Sequence, residues 1–133
     1  MKIEDYEKVY KLWKATDIII KSSDQKVEIQ RMLKRNPYTC LVGIENNELI
    51  SVVLGGFDGR RGYVHHLAVK PEKQSQGCGK AMMEELMKRF EDLKVIKVHL
   101  FVEENNKEVK DFYRHIGFKE RTDLTDFSKT LIK

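Results

Sequence analysis

Cysteine, proline and tryptophan are all scarce in this chain of 133 residues, which holds two cysteines, two prolines and one tryptophan. Cys40 and Cys78 form no CxxC pair and no Cys/His cluster, so neither a disulfide framework nor a zinc site is available, and both are expected as free thiols. Proline-rich linkers, low-complexity segments and internal repeats are missing as well. The longest apolar stretch, LISVVLGGF, is strand-sized, far short of the roughly 20 residues that a membrane helix needs. The polar opening MKIEDYEK lacks the apolar segment of a signal peptide, and a cytoplasmic location is the expectation.

What is present describes one globular domain. Hydrophobic residues make up 41% and charged residues 35% of the chain, too apolar for disorder, and the length suits a single core spanning 1–133. The formal charge of +4 suits a polyanionic ligand, but the lysines are scattered among glutamates and form no continuous basic run. A nucleic-acid face would need basic residues clustered with stacking aromatics, and Arg60-Arg61 alone is too little.

Periodicity supplies the elements. Tyr6, Val9, Tyr10 and Trp13 recur at helical spacing in residues 4–15, and a second helix is expected after Ser23 and Asp24, which can cap it, ending at Asn36 and Pro37. YTCLVGIE and ELISVVLGGF, joined at Asn46 and Asn47, read as an antiparallel hairpin. DGRRG turns into a third strand, GYVHHLAV, stopped by Pro71. A helix then carries the stripe Met82, Leu86, Phe90 and Leu93, and VIKVHLFV is the next strand. A short helix bearing Val109, Phe112, Tyr113 and Ile116 ends at Gly117, where a left-handed stop is needed, and Phe118 onward is expected to return as strand. The order implies an α+β fold on a mostly antiparallel sheet.

The chemistry begins at QSQGCGK, residues 74–80, where a glycine-rich loop enters a helix. Such loops bind phosphate, because backbone N–H groups and the helix N-terminus together present partial positive charge. A mononucleotide loop would need glycine where Gln74 stands and Ser or Thr where Ala81 stands; a dinucleotide fingerprint would need glycine in place of Met82 and a parallel strand–helix–strand unit. Both fail. What remains is Gln74-Ser75-Gln76-Gly77-Cys78-Gly79, a Q/R-x-x-G-x-G/A pattern directly after a strand ending Leu67-Ala68-Val69. Downstream, Asn106, Val109, Tyr113, Gly117 and Phe118 fit N-x-x-A/V-x-x-x-Y-x-x-x-G-F.

Together these motifs resemble the GCN5-related N-acetyltransferases, the GNAT superfamily, over roughly residue 4 to the end. FDGRRGYVHHLAV is further similar to small bacterial acetyltransferases of the YpeA-like kind. The resemblance implies the GNAT fold, a mostly antiparallel mixed central sheet flanked by helices; the first edge strand that members carry before the first helix is either lacking here or lies upstream of residue 1. It also implies that Gln74, Ser75, Gln76, Gly77, Cys78, Gly79 and Lys80 wrap the pyrophosphate of acetyl-CoA, with Gly77 and Gly79 glycine for clearance. Leu67, Ala68 and Val69 would bond the acetyl carbonyl and pantetheine through their main chain. Asn106 corresponds to a coenzyme-contacting asparagine, although Asn105 or Asn106 equally suits a helix cap.

Tyr113 corresponds to the tyrosine that protonates the coenzyme A thiolate in many relatives; packing beside Phe112 is the alternative. Ribosomal-protein acetyltransferases place a glutamate where Phe101 stands, so that base is absent. Strand alternation sends His65 and His66 to opposite faces, and His65 resembles the histidine near the amine in arylalkylamine acetyltransferases. Either histidine could instead be a hydrogen-bonded sheet residue, and adjacent histidines on a strand cannot share a metal, so no metal is expected. Cys78 at a helix N-terminus would suit an acetyl-enzyme only if it were a nucleophile, yet it holds the variable position of the motif. The reading is an N-acetyltransferase moving acetyl from acetyl-CoA to a primary amine, by direct transfer in a ternary complex. The acceptor is a small-molecule amine, a peptide N-terminus or a lysine, with no nucleic acid or membrane partner, and the protein is a monomer or homodimer. A noncatalytic acyl-CoA sensor is the alternative.

Overall fold

A computed structural model describes residues 1–132. Its chain divides into two compact units, Met1–Leu100 and Phe101 onward.

In the first unit a 3-10 turn, Ile3–Asp5, leads into α1, Tyr6–Lys14. The spacing of Tyr6, Val9, Leu12 and Trp13 gathers them on one buried face, while Lys11 and Lys14 in the last turn favour the negative end of the helix dipole. α2, Lys26–Arg35, ends at Asn36 as the Asn-Pro boundary predicts. Its N-terminus differs from the sequence reading. Ser23 and Asp24 lie in a separate 3-10 turn, Gln25 is the N-cap residue, and Asp24 is directed elsewhere.

Strands β1 (Cys40–Glu45), β2 (Glu48–Phe57) and β3 (Gly62–Val69) form an antiparallel meander. Asn46 and Asn47 both take left-handed backbone, at φ 50° and 63°, as a two-residue hairpin turn requires. In the next turn Asp58 Oδ1 accepts from the amides of Arg60 and Arg61 at 2.7 and 2.6 Å. After α3, Cys78–Asp92, comes β4, Val98–Leu100, which pairs parallel to β3. β3, α3 and β4 are therefore a parallel strand–helix–strand unit, contrary to the sequence reading, so a dinucleotide fingerprint is excluded here by Met82 and not by topology. The sheet order is β1-β2-β3-β4. Among the described residues no strand precedes α1, and the Met1 amino group donates to the carbonyl of Cys40 on β1 at 2.7 Å.

Both faces of the sheet are covered. α1 and α2 lay Val9, Trp13 and Ile29 against Val52, Leu54 and Ala68. On the other face α3 buries Met83, Leu86 and Phe90. That approach depends on two glycines: a Cβ on Gly55 would fall 2.7 Å from Leu86 Cδ1, and one on Gly62 would fall 2.8 Å from Phe90 Cε1.

In the second unit the secondary structure is α4, Lys107–His115. Among the described residues the strand expected from Phe118 onward is not there, and the strand expected over 95–102 is only Val98–Leu100. A strand exists only when a neighbour takes up its backbone groups, and sequence alternation alone supplies none. Among the described residues no helix is long and apolar enough to cross a membrane.

Candidate active site

The strand β3 supplies the first part. Its pairing with β4 stops at Val64, opposite Leu100, so from His65 on that edge meets no β4 residue. On its other edge the register with β2 runs from Ala68 opposite Val52 to His65 opposite Leu54. His66 and Leu67 together therefore oppose Val53, which is a β-bulge. His66 takes the left-handed conformation the bulge demands, at φ 52°.

This bulge breaks the alternation on which the sequence reading of the histidines rests. His65 Nε2 would lie 4.0 Å from a Cβ on Gly56, beside the Met32 methyl at 3.6 Å, on the α2 side of the sheet. The His66 ring meets Trp13 of α1 edge-on at 5.1 Å. Both histidines thus serve the same face. His65 is exposed at its edge, yet its ring is desolvated by the fold around it, and that desolvation, with the positive charge His66 can carry, lowers its pKa; Asp24 pulls the other way.

Beside them the segment between α1 and α2 carries Asp24, which is 5% exposed. Its Oδ1 lies 2.8 Å from His66 Nε2, its Oδ2 accepts from the Lys21 amide at 2.9 Å, and its carbonyl accepts from Tyr6 Oη at 2.7 Å. Burial pushes this carboxyl up, but the His66 and Lys21 hydrogen bonds and their charges outweigh it, and the net direction is down. The same segment walls a groove of about 330 Å³ lined by Tyr6, Tyr10, Lys21, Ser22, Asp24 and Gln25. The indole N–H of Trp13 is fully buried and has no hydrogen-bond partner among the described residues.

The loop before α3 is built the opposite way. Gln74 Nε2 donates to the Val69 carbonyl at 3.0 Å and Gln76 Nε2 to the Glu72 carbonyl at 3.2 Å, so one side chain folds back onto the end of β3 and the other onto the loop's own backbone. Ser75 and Gly77 are left-handed, at φ 64° and 86°. Gly77 is the N-cap residue; no side chain caps α3, and its first turn holds no acid. The leading amides of a 15-residue helix, at Cys78, Gly79 and Lys80, are left pointing outward in a setting that favours an anion. A Cβ on Gly77 would meet nothing within 4 Å, so the protein itself requires glycine there for its backbone angle and not for clearance from its own atoms. Gly79 lies inside the helix. Cys78 and Cys40 are free thiols, and burial raises the pKa of Cys40.

In the second unit Asn106 caps α4, its Oδ1 accepting from the Val109 amide at 3.2 Å. Gly117, at φ 103°, closes the helix: the Phe118 amide donates to the Tyr113 carbonyl and the Gly117 amide to the Arg114 carbonyl. The Tyr113 ring sits edge-on to Phe112 and Phe118, at 5.1 and 5.6 Å, and burial pushes its phenol up to about 12. Among the described residues no cluster of three or more metal-ligating side chains occurs.

A sheet with helices on both faces, a strand whose pairing with β4 ends at Val64, and uncapped helix amides directly after it suit an anionic ligand laid along that strand's end. The chain belongs to the acetyltransferase (GNAT) family, whose model matches residues 6–118. It is 32% identical over 130 residues to an acetyltransferase of Pectobacterium atrosepticum, covering 98% of this chain and 92% of that one. In structure it is similar to Ard1 from Thermoplasma volcanium, with a TM-score of 0.81, 19% identity, and coverage of 90% of this chain and 79% of the other. It is also similar to the PaiA N-acetyltransferase from Thermoplasma acidophilum in complex with coenzyme A, with a TM-score of 0.76, 20% identity, and coverage of 92% and 89%.

Sequence reasoning missed Asp24, Tyr6 and the groove. Asp24 followed by an apolar-periodic segment is a good cap signal, and no local pattern tells that its partner is His66, 42 residues away.

Proposed function

We propose that the whole chain works as one N-acetyltransferase domain that moves acetyl from acetyl-CoA to a primary amine in a ternary complex. The observation that carries this is the uncapped start of α3, with left-handed Ser75 and Gly77 ahead of it and the side chains of Gln74 and Gln76 folded out of the way. Those features suit the coenzyme's pyrophosphate, and the similar PaiA N-acetyltransferase is a coenzyme A complex. Leu67, Ala68 and Val69, on the edge of β3 beyond its pairing with β4, offer backbone groups to the pantetheine.

In the reaction the neutral amine nitrogen attacks the thioester carbon. The carbon–nitrogen bond forms, the carbon–sulfur bond breaks, His65 takes the proton the amine loses, and Tyr113 protonates the departing thiolate. A lowered pKa keeps His65 neutral at pH 7, and burial, which pushes the Tyr113 phenol up to about 12, keeps it protonated there. Asn106 serves both the helix cap and the coenzyme.

Release of coenzyme A thiol, followed with a panel of small amines, polyamines, amino acids and peptides, tests the reading. Acetyl-CoA binding with steady release from at least one acceptor is expected, and Tyr113→Phe should lower kcat by about 10²-fold while leaving acetyl-CoA affinity in place. Binding without release from any acceptor would establish the sensor instead.

A further inference from the structure

Among the described residues Asp24 is the only charged group that is buried. A carboxylate is costly to bury, and an apolar pair of the same size would hold two segments together as well as an ion pair does. The pair is therefore better explained by what it places than by what it stabilises. Through Tyr6 and His66 it ties the Lys21–Gln25 segment to α1 and to the bulge of β3, and this segment is one wall of the groove. The same bulge turns His65 onto that face, where the charges of both partners act on its ring.

We propose that Asp24 is a positioning residue for the amine side of the active site: through His66 it holds the Lys21–Gln25 wall against the β3 bulge and fixes where His65 stands. The assignment of that side to an amine rests on the acetyltransferase reading above. With Nε2 of His66 against a carboxylate, the proton resides on that nitrogen and the ring has one orientation. The titratable groups around the pair are Tyr6 and Tyr10 from α1, Lys21 from the connecting segment and His65 from β3.

Two variants separate charge from reach. His66→Asn tolerates the left-handed backbone but is too short to meet Asp24, and Asp24→Asn keeps the shape while removing the charge. The readouts are the proton NMR titration of His65, hydrogen exchange at residues 21–25, and acetyl-CoA affinity by calorimetry. In His66→Asn the His65 titration should move, because the wall and the bulge that place its ring are released, and exchange at residues 21–25 should rise by roughly tenfold or more. Asp24→Asn should raise exchange by a smaller factor, since a hydrogen bond to His66 survives. Acetyl-CoA affinity should hold in both. Faster exchange with an unmoved His65 titration would overturn the positioning role, and wild-type behaviour of both readouts would overturn the clamp as well. If the wild-type protein fails to bind acetyl-CoA, the acetyltransferase reading falls, while the titration and the exchange still decide whether Asp24 positions His65.

Discussion

The loop at residues 74–80 and the bulge at His66 both leave regular geometry through left-handed residues, and they use that freedom in opposite ways. In the loop the irregular backbone frees amides: the glutamines anchor to nearby main-chain carbonyls, and nothing in the protein comes near a Cβ on Gly77. At the bulge the irregular backbone frees a side chain, and His66 reaches across to Asp24 and Trp13. One region is defined by what is kept out and the other by what is brought in. A ligand recognised by main-chain N–H groups leaves a short, local signature in sequence, whereas a site held by side chains from distant segments leaves none.

Breaking the side-chain region should cost most. Asp24→Ala leaves the His66 and Lys21 partners without their acceptor, and breaking a buried pair is expected to cost about 3 kcal/mol. For a chain of this size that is roughly 10 °C in Tm, read by calorimetry or circular dichroism. The sign of the pH dependence follows. An unfolded Asp takes its proton near pH ~3.9, and the folded carboxyl keeps its charge to lower pH. The contribution is therefore complete above that value and is lost as pH falls through the folded pKa. In Asp24→Ala the stability curve should be flatter over this acid range; an unchanged slope would show that the pair is energetically idle.

His65→Ala tests whether the histidine beside that pair handles the acceptor's proton. A positioned base contributes about 10²-fold, so kcat/KM at pH 7 should fall by about that factor. In the wild type the acidic limb of kcat/KM should bend below pH 6.5, the direction in which desolvation moves this imidazole, and the limb should vanish in the variant. A limb that persists would remove His65 from the proton path.

Breaking the backbone region should cost binding as well as stability. Gly77→Val forces a β-branched residue to a φ of 86° and should lose about 1–2 kcal/mol of stability. It should also weaken acetyl-CoA by roughly tenfold through one lost charge-assisted contact. Gly79→Ala is the sharper probe. Within a helix the change from glycine adds up to about 1 kcal/mol of stability, and if the loop takes the pyrophosphate as proposed, the added methyl should weaken acetyl-CoA. Stability and affinity should then move in opposite directions.

How much was legible follows the same division. Helical spacing located α1 and α3, the Asn36-Pro37 stop the end of α2, Asn46-Asn47 the hairpin turn, and Gly117 the left-handed end of α4, because each depends on neighbours in sequence; Gly77 was read as clearance for a ligand, and its left-handed angle was not foreseen. The faces of His65 and His66 were misread, since an inserted residue in one strand is visible only in the register with its partner. Asp24 reads locally as a helix cap, and a partner on β3 recruits it instead. The strand after Phe118 failed for the complementary reason: alternation describes a willing strand but not the neighbour that must accept its hydrogen bonds.

Ser75→Gly has the smallest expected effect and separates the two regions most cleanly. Ser75 pays for its left-handed backbone, at φ 64°, by about 1 kcal/mol that glycine would remove. Glycine in turn gives the unfolded chain more freedom, which costs about 0.4–1 kcal/mol, so the net change in stability should stay within about 0.5 kcal/mol. If the loop grips acetyl-CoA through its main chain, affinity should hold within roughly twofold, since every amide is still present and no Cβ has been added. A loss of tenfold would mean that the Ser75 hydroxyl itself contacts the ligand. The loop would then work through side chains, as the His66 bulge does.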